Sequence, residues 1–207
     1  MRKVTIILMS GIPRSGRSTT ADTLHKWMSS ELGLSVVKYG TNVSSSGWNR
    51  QNIMNSVSYE VMLDIIDEKH DYIIVDGNFM NYPERKEFMD TVHSVANQND
   101  NDVVFVTIQH NRSNRFMFNA NKDGDCEIYR ERTLLELLNT YQQPIKQEGF
   151  RLIFNVNGSH YINVELFSRC MSKFDDNFPI YEIIRDDNVS AVSSEEAMID
   201  KEVADAE

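Results

Sequence analysis

A turn framed by two glycines near the start of the chain has the composition of a phosphate-binding loop. Its spacing is G-x-x-x-x-G-[KR]-[ST], with arginine where lysine is usual. The glycines allow consecutive backbone N–H groups to turn toward one point, and a helix that starts directly after them adds the positive end of its dipole. The pattern predicts a nucleotide phosphate site formed by Gly11, Ile12, Pro13, Arg14, Ser15, Gly16, Arg17, Ser18 and Thr19.

Three side chains of this loop have distinct predicted roles. Arg17 would neutralise phosphate charge, although its guanidinium is a planar fork and the usual lysine is a compact charge on a flexible stem. Ser18 would ligate Mg²⁺, and Thr19 would hold the loop or the α-phosphate of the nucleotide. The alternative is an ordinary glycine-proline turn between a strand and a helix.

The segments on either side of the turn favour the phosphate loop over the ordinary turn. Residues 4–9 are apolar apart from one threonine, which is typical of a central parallel strand that is buried on both faces. Residues 18–32 carry apolar side chains at helical spacing, and Gly33 stands where a C-terminal cap belongs. The order strand, loop, helix is the context that a phosphate loop requires.

One aspartate closes a second apolar strand. Residues 72–75 predict this strand, and Asp76 follows it directly. Taken alone, an aspartate after a strand is more often a turn or cap residue. With a phosphate loop upstream, the place is the one where a carboxylate holds Mg²⁺ directly or through water. We therefore predict that Ser18 and Asp76 form the metal site and that Asp76 also contributes to catalysis.

Strands and helices alternate along residues 1–157, the predicted main domain. Further predicted strands cover residues 35–39, 103–108 and 151–156, and further predicted helices cover residues 51–69, 83–97 and about 129–141. This alternation predicts a three-layer α/β fold with a parallel sheet of about five strands. Beyond it we predict an appendage over residues 158–187, with a helix at 164–173 and a candidate strand at 178–184, and then a disordered acidic tail over residues 188–207.

Composition indicates a globular protein without a membrane anchor. Of the 207 residues, 41% are hydrophobic and 25% are charged, and no apolar run approaches the roughly 18 residues of a membrane span. Cys126 and Cys170 are far apart, so neither a disulfide framework nor a structural zinc site is indicated. The net charge is −10, of which residues 186–207 contribute eight acidic residues against one basic residue. We predict a cytoplasmic location, and nucleic acid is not excluded as a substrate.

Taken together, the motifs resemble a kinase group. The order of GIPRSGRSTTA, YIIVDGNFMNYPERKEF and YQQPIKQEGFRLIFNV, over about residues 3–157, is similar to the polynucleotide 5′-hydroxyl kinases among the P-loop kinases and to their zeta-toxin and small antibiotic-kinase relatives. The most specific matches are Asp76, Asn78, Pro83, Glu84, Arg85, Pro144, Glu148, Gly149 and Phe150. The resemblance implies ATP and Mg²⁺ as cofactors and transfer of the γ-phosphoryl group to a hydroxyl.

The same resemblance implies further site residues. Arg112 and Arg115 are candidate phosphate clamps in a short helical lid over residues 112–125. The acceptor would enter beside residues 40–50, where Trp48 could stack on a base or another ring. The predicted substrate-binding residues are Asn42, Trp48, Asn78 and Arg85.

Three departures from the resembling kinases leave two functions open, and the first is arginine in place of lysine at Arg17. Residues 40–50 contain no Asp or Glu, so the expected general base is missing. The predicted lid also carries fewer arginines than the resembling kinases would offer. Loss of a general base typically costs about 10²–10⁴ in rate. The chain is either an ATP- and Mg²⁺-dependent phosphotransferase acting on a hydroxyl of a nucleic acid, nucleotide or related small molecule, or a non-catalytic nucleotide-binding protein that acts through its C-terminal segment on a protein partner.

Overall fold

The structure, a computed structural model, describes residues 2–12, 15–40, 50–77, 79–111, 138–157 and 162–182. Its strands are β1 (Arg2–Ser10), β2 (Val36–Gly40), β3 (Tyr72–Asp76), β4 (Asn101–Asn111) and β5 (Leu152–Asn157). Its helices are α1 (Arg17–Ser30), α2 (Arg50–Ile66), α3 (Tyr82–Gln98) and α4 (Val164–Met171), with a short 3₁₀ turn at Lys146–Glu148.

The five strands form one parallel sheet in the order β2-β3-β1-β4-β5. The middle strand β1 is buried from Val4 to its end, and all of β3 is buried, as their continuous apolar runs predict. The three-layer α/β fold with a parallel sheet is therefore confirmed.

The core follows the two-residue period of the strands. Val4, Ile6 and Leu8 of β1 face one side of the sheet, where α2 and α3 pack. The helices contribute apolar residues at helical spacing, namely Val57, Val61, Ile65, Phe88, Met89, Val92 and Ala96. The buried side chains of α1 lie outside this cluster, and α1 contacts β1, β2 and β3 as the third layer.

Helix ends are set by local backbone geometry. Gly33 adopts φ +64°, and Leu34 N–H donates to the Met28 carbonyl at 3.0 Å, which confirms the predicted cap after α1. Helix α2 ends at Ile66, three residues earlier than predicted, because Glu68 has a φ of +52° and Lys69 N–H donates back to the Asp64 carbonyl.

The chain divides into two compact units, Met1–Ile162 and Asn163–Glu207. In the described part of the second unit, α4 confirms the predicted helix. The predicted strand at 178–184 is wrong over residues 178–182, where no strand forms. There Phe178 packs edge-on against Phe167, and the Ser168 hydroxyl donates to the Pro179 carbonyl and accepts from Tyr181 N–H. The predicted acidic tail, residues 188–207, lies outside the described residues.

None of the described helices is both long and apolar enough to cross a membrane.

The strand register sets what lies at the carboxyl edge of the sheet. Ser10 at the end of β1 is level with Gln109 of β4, and Gly40 at the end of β2 is level with Asp76. Asn155 of β5 is level with Gln109. Because all five strands run in one direction, these residues share the edge from which the predicted phosphate loop emerges.

Candidate functional site

The turn between β1 and α1 has a backbone that only glycine accepts at two positions. Gly11 adopts φ +141° and Gly16 adopts φ +96°, a region that L side chains rarely enter. A Cβ atom added at Gly11 would lie 2.9 Å from Ser15 Oγ and 3.1 Å from His110 Cβ. The backbone is therefore both left-handed and closely surrounded at Gly11.

The described part of the loop has features that fit an anion. Gly16 occupies the N-cap position of α1 without a side-chain cap, and the first turn holds no acidic residue. The first N–H groups of α1 are thus not shielded by a carboxylate. Within the described residues, the fully buried Ser15 Oγ has no hydrogen-bond partner, and a buried hydroxyl without one is unfavourable. A phosphate oxygen would supply the missing acceptor.

The cation of the loop points toward the neighbouring strand. Arg17 is half-buried, and its Nη1 donates to the Gly77 carbonyl at 2.9 Å. Gly77 directly follows Asp76, so the guanidinium spans the gap between the loop and the end of β3. Ser18 and Thr19 are exposed at the start of α1.

Asp76 is buried to 7% exposure at the end of β3, against Gly40. A Cβ atom added at Gly40 would lie 3.2 Å from Asp76 Cβ and 3.7 Å from Asp76 Oδ2. The missing side chain at position 40 therefore leaves room for the carboxylate. Where the resembling kinases have an aspartate near the end of the second strand, the last residue of β2 here is a glycine.

A metal ion at this edge would have few protein ligands. Within the described ranges, no group of three or more His, Cys, Asp or Glu side chains is placed to hold a metal ion. Asp76 is the one carboxylate that the described strands carry at their carboxyl ends. This donor set fits Mg²⁺, which keeps several waters and is usually bound through one or two carboxylates together with phosphate oxygens.

The structure corrects the interpretation of Arg85 as a substrate-binding residue. Its side chain is fully buried, and its guanidinium forms two bonds to the Glu148 carboxylate, at 2.6 Å from Nε and 2.7 Å from Nη2. Its Nη1 also donates to the carbonyls of Phe79 and Gln142. A phosphate acceptor cannot reach a guanidinium that is buried and already hydrogen-bonded in this way. Arg85 and Glu148 therefore have a structural role and join α3 to the turn at Lys146–Glu148.

Tyr141 is a residue at the site that sequence reasoning missed. Its hydroxyl lies 3.3 Å from Ser10 Oγ, and its ring packs against Ile12 and Met80. Burial raises the pKa of the Tyr141 phenol, and the Ser10 bond and the charges of Arg85 and Arg17 offset this only in part. The phenol is therefore neutral at neutral pH. Tyr141 is the first residue of the segment YQQPIKQEGFRLIFNV, and this is the one sequence signal that points to it.

Several predicted site residues lie outside the described residues. They are Pro13, Arg14, Asn42, Trp48, Asn78, Arg112 and Arg115. Their roles, and the lid over residues 112–125, stay predictions.

Gly11→Ala is expected to weaken binding of a magnesium nucleotide at least about tenfold, the equivalent of about 1.4 kcal/mol. The reason is the left-handed backbone and the 2.9 Å approach of Ser15 Oγ, which force the loop to shift. Strain of this kind is worth about 1–3 kcal/mol. A fluorescent ADP analogue measures the affinity.

Gly33→Ala is the matched control, because Gly33 has φ +64° but no atom within 4 Å of an added Cβ. It should lower the free energy of unfolding by about 1–2 kcal/mol and leave nucleotide affinity unchanged. Equal affinity in the Gly11 variant and the wild type would contradict the role of the loop.

The fold and the loop between β1 and α1 define a P-loop protein of the kinase type, as the resemblance in sequence implies. The sequence profile of the family described as chromatin associated protein KTI12 matches residues 4–152. The chain belongs to this family.

The chain is similar to several solved structures at low sequence identity, and the fold is shared with a fungal RNA kinase. A fungal RNA kinase has a TM-score of 0.61 at 11% identity, over 100% of this chain and 98% of that one. The thymidylate kinase of Candida albicans has a TM-score of 0.45 at 14% identity, over 75% and 85%. The Mycobacterium tuberculosis APS kinase in complex with AMPPNP and APS has a TM-score of 0.44 at 14% identity, over 77% and 92%. No curated protein was found to match the chain in sequence.

Proposed function

We propose that this chain is an ATP- and Mg²⁺-dependent phosphotransferase that acts on a hydroxyl of a nucleic acid, nucleotide or related small molecule. The observation that carries the proposal is the bond from Arg17 to the carbonyl of Gly77, the residue that follows Asp76 at the end of β3. A phosphate loop, a cation and a carboxylate at one sheet edge are the parts that phosphoryl transfer uses.

Each part has a role in this proposal. The backbone N–H groups of residues 11–19, apart from Pro13, bind the phosphates, and Arg17 neutralises them. Ser18 and Asp76 would hold Mg²⁺, which would supply further positive charge. The acceptor oxygen forms a bond to the γ-phosphorus while the bond from that phosphorus to the β,γ-bridging oxygen breaks. ADP leaves, and the proton of the acceptor passes to water. Rate enhancement would come from positioning and charge neutralisation.

A second candidate is a nucleotide-binding protein without catalysis that acts through its C-terminal segment on a protein partner. Two observations favour it. Residues 40–50 carry no carboxylate that could act as a base, and Asp76 is the one carboxylate at the described strand ends. The chain also continues into a second compact unit, Asn163–Glu207, beyond the family match.

The shared fold and the net charge both bear on the choice of acceptor. The fold match to an RNA kinase is compatible with a nucleic-acid hydroxyl as acceptor. The net charge of −10 argues against high-affinity, purely electrostatic binding of nucleic acid.

The cytoplasmic location stays a prediction, and the family description, which refers to chromatin, supports a nuclear alternative.

The test uses the full chain with Mg²⁺ and ATP labelled in the γ-phosphate. The acceptors are a 5′-hydroxyl RNA oligonucleotide, the matching DNA oligonucleotide and free nucleosides, and binding of ADP and ATP is measured in parallel. Transfer to one acceptor class is expected, with Ser18→Ala and Asp76→Ala each lowering it by at least about 10², which corresponds to about 2.7 kcal/mol.

The outcomes separate the two candidates. Nucleotide binding without transfer to any acceptor would overturn the phosphotransferase and favour the binding protein. Absence of binding to any nucleoside di- or triphosphate in the presence of Mg²⁺ would overturn both.

A further inference from the structure

Tyr141 contacts the phosphate loop on both sides of Gly11. Its hydroxyl lies 3.3 Å from Oγ of Ser10, the last residue of β1, and its ring packs against the cluster of Met80 and Ile12, the first residue after Gly11. Gly11 itself has no side chain and adopts φ +141°. Contacts at positions 10 and 12 therefore restrain a backbone that has no side chain at Gly11 to restrain it.

The residue that follows Tyr141 is tied to α3 and to the segment before it. Gln142 N–H donates to the Met80 carbonyl at 2.8 Å, and Gln142 Oε1 accepts from Tyr82 N–H at 2.9 Å. The Gln142 carbonyl accepts from Arg85 Nη1 at 2.8 Å. Three hydrogen-bonding groups of Gln142, its N–H, its carbonyl and its Oε1, are thus engaged, and these bonds restrain the position of the neighbouring Tyr141 in the free protein.

The buried ion pair adds a second anchor. Glu148, only 3% exposed, binds Arg85 through both carboxylate oxygens and also accepts from Ile145 N–H at 3.1 Å. The Glu-Gly-Phe segment and α3 therefore form one rigid support for residues 141 and 142. The phenol that this support presents to Ser10 is neutral, because burial raises the pKa of Tyr141.

We propose that Tyr141 is a positioning residue that holds the phosphate loop in its nucleotide-binding conformation through Ser10 and Ile12. The inference rests on the proposed nucleotide site and adds a residue to it. A loop that populates its binding conformation only part of the time binds its ligand more weakly by that fraction. Loss of the Ser10 contact should therefore lower nucleotide affinity without unfolding the protein.

The test is a double-mutant cycle between Tyr141→Phe, which keeps the ring, and Ser10→Ala. Each single variant is expected to bind Mg²⁺–ADP about three- to tenfold more weakly, the range of one hydrogen bond. The double variant should lose no more than either single variant, because both remove the same contact. Tyr59→Phe, which makes the same chemical change at a 59% exposed residue of α2, should bind like the wild type.

A readout without nucleotide keeps this inference separate from the proposed function. Amide hydrogen exchange of residues 10–19 in the free protein should be faster in Tyr141→Phe and in Ser10→Ala than in Tyr59→Phe, while urea unfolding midpoints stay close to one another. Unchanged exchange in both variants, or losses of affinity that add in the double variant, would overturn the positioning role. Faster exchange in a protein that binds no nucleotide would overturn the proposed function and leave the support of the loop standing.

Discussion

Replacing Arg85 with methionine is expected to destabilise the protein by about 3–5 kcal/mol, the range for removal of one partner from a buried ion pair. The side chains of Arg85 and Glu148 are 0% and 3% exposed, so the variant would leave the Glu148 carboxylate buried without its counter-charge. The carbonyls of Phe79 and Gln142 would also lose a charged donor. Urea unfolding, followed by circular dichroism, measures the change.

Lys86→Met on the same helix is the matched control, since Lys86 pairs with Asp90 one turn later and both side chains are more than half exposed. It should leave the free energy of unfolding nearly unchanged, because an ion pair between exposed side chains contributes little to stability. The double variant Arg85→Met, Glu148→Met should recover part of the loss, because no buried charge is then left alone. Equal stability of the Arg85 and Lys86 single variants would contradict the anchoring role.

Arg17→Met is the second variant with a large expected effect. Removal of a charged donor to phosphate should weaken Mg²⁺–ATP binding by about 10–150-fold, since such bonds contribute about 1.5–3 kcal/mol. If the chain transfers phosphate, turnover should fall by about 10³ or more, as for other clamping arginines. Stability should change little, because Arg17 is only half-buried and water can replace the donor that it offers to the Gly77 carbonyl. Binding and transfer are measured with the assays described for the proposed function.

Two further variants serve as controls for Arg17→Met. Arg17→Lys keeps the charge and restores the usual residue of the motif, so it should recover much of the affinity that Arg17→Met loses. Arg169→Met removes an exposed arginine of α4 that pairs with Glu165, and it should leave binding unchanged. Full affinity in Arg17→Met would show that Arg17 is only a tie between the loop and β3.

The sequence was sufficient for the fold because its signals are local. Each strand of the sheet contains a short stretch rich in apolar residues, and each helix before residue 100 repeats apolar residues at helical spacing. The prediction of a strand at 178–184 is wrong over residues 178–182, because its sequence signal is ambiguous. Its apolar residues are equally consistent with packing onto α4, and the Ser168 hydroxyl, ten residues upstream, binds the backbone at Pro179 and Tyr181 instead.

The site was predictable only in part, because half of it depends on contacts between distant segments. The loop and Asp76 are recognisable from spacing within a few residues. Burial of Arg85, by contrast, depends on Glu148, and nothing in the residues around Arg85 distinguishes an anchor from a substrate contact. Tyr141 belongs to the site only because the chain returns to Ser10, which lies 131 positions earlier.

The bond between Arg85 and Glu148 joins residues 63 positions apart, which matters for a chain that emerges from the ribosome one residue at a time. The first turn of α3 is made long before its carboxylate partner exists, and contacts of such separation form late. Until then the guanidinium has to remain in water, and α3 cannot settle fully against the sheet. Nascent chains that stop before residue 148 should therefore remain open at this helix and be exposed to proteases and chaperones, although they already contain the whole phosphate loop.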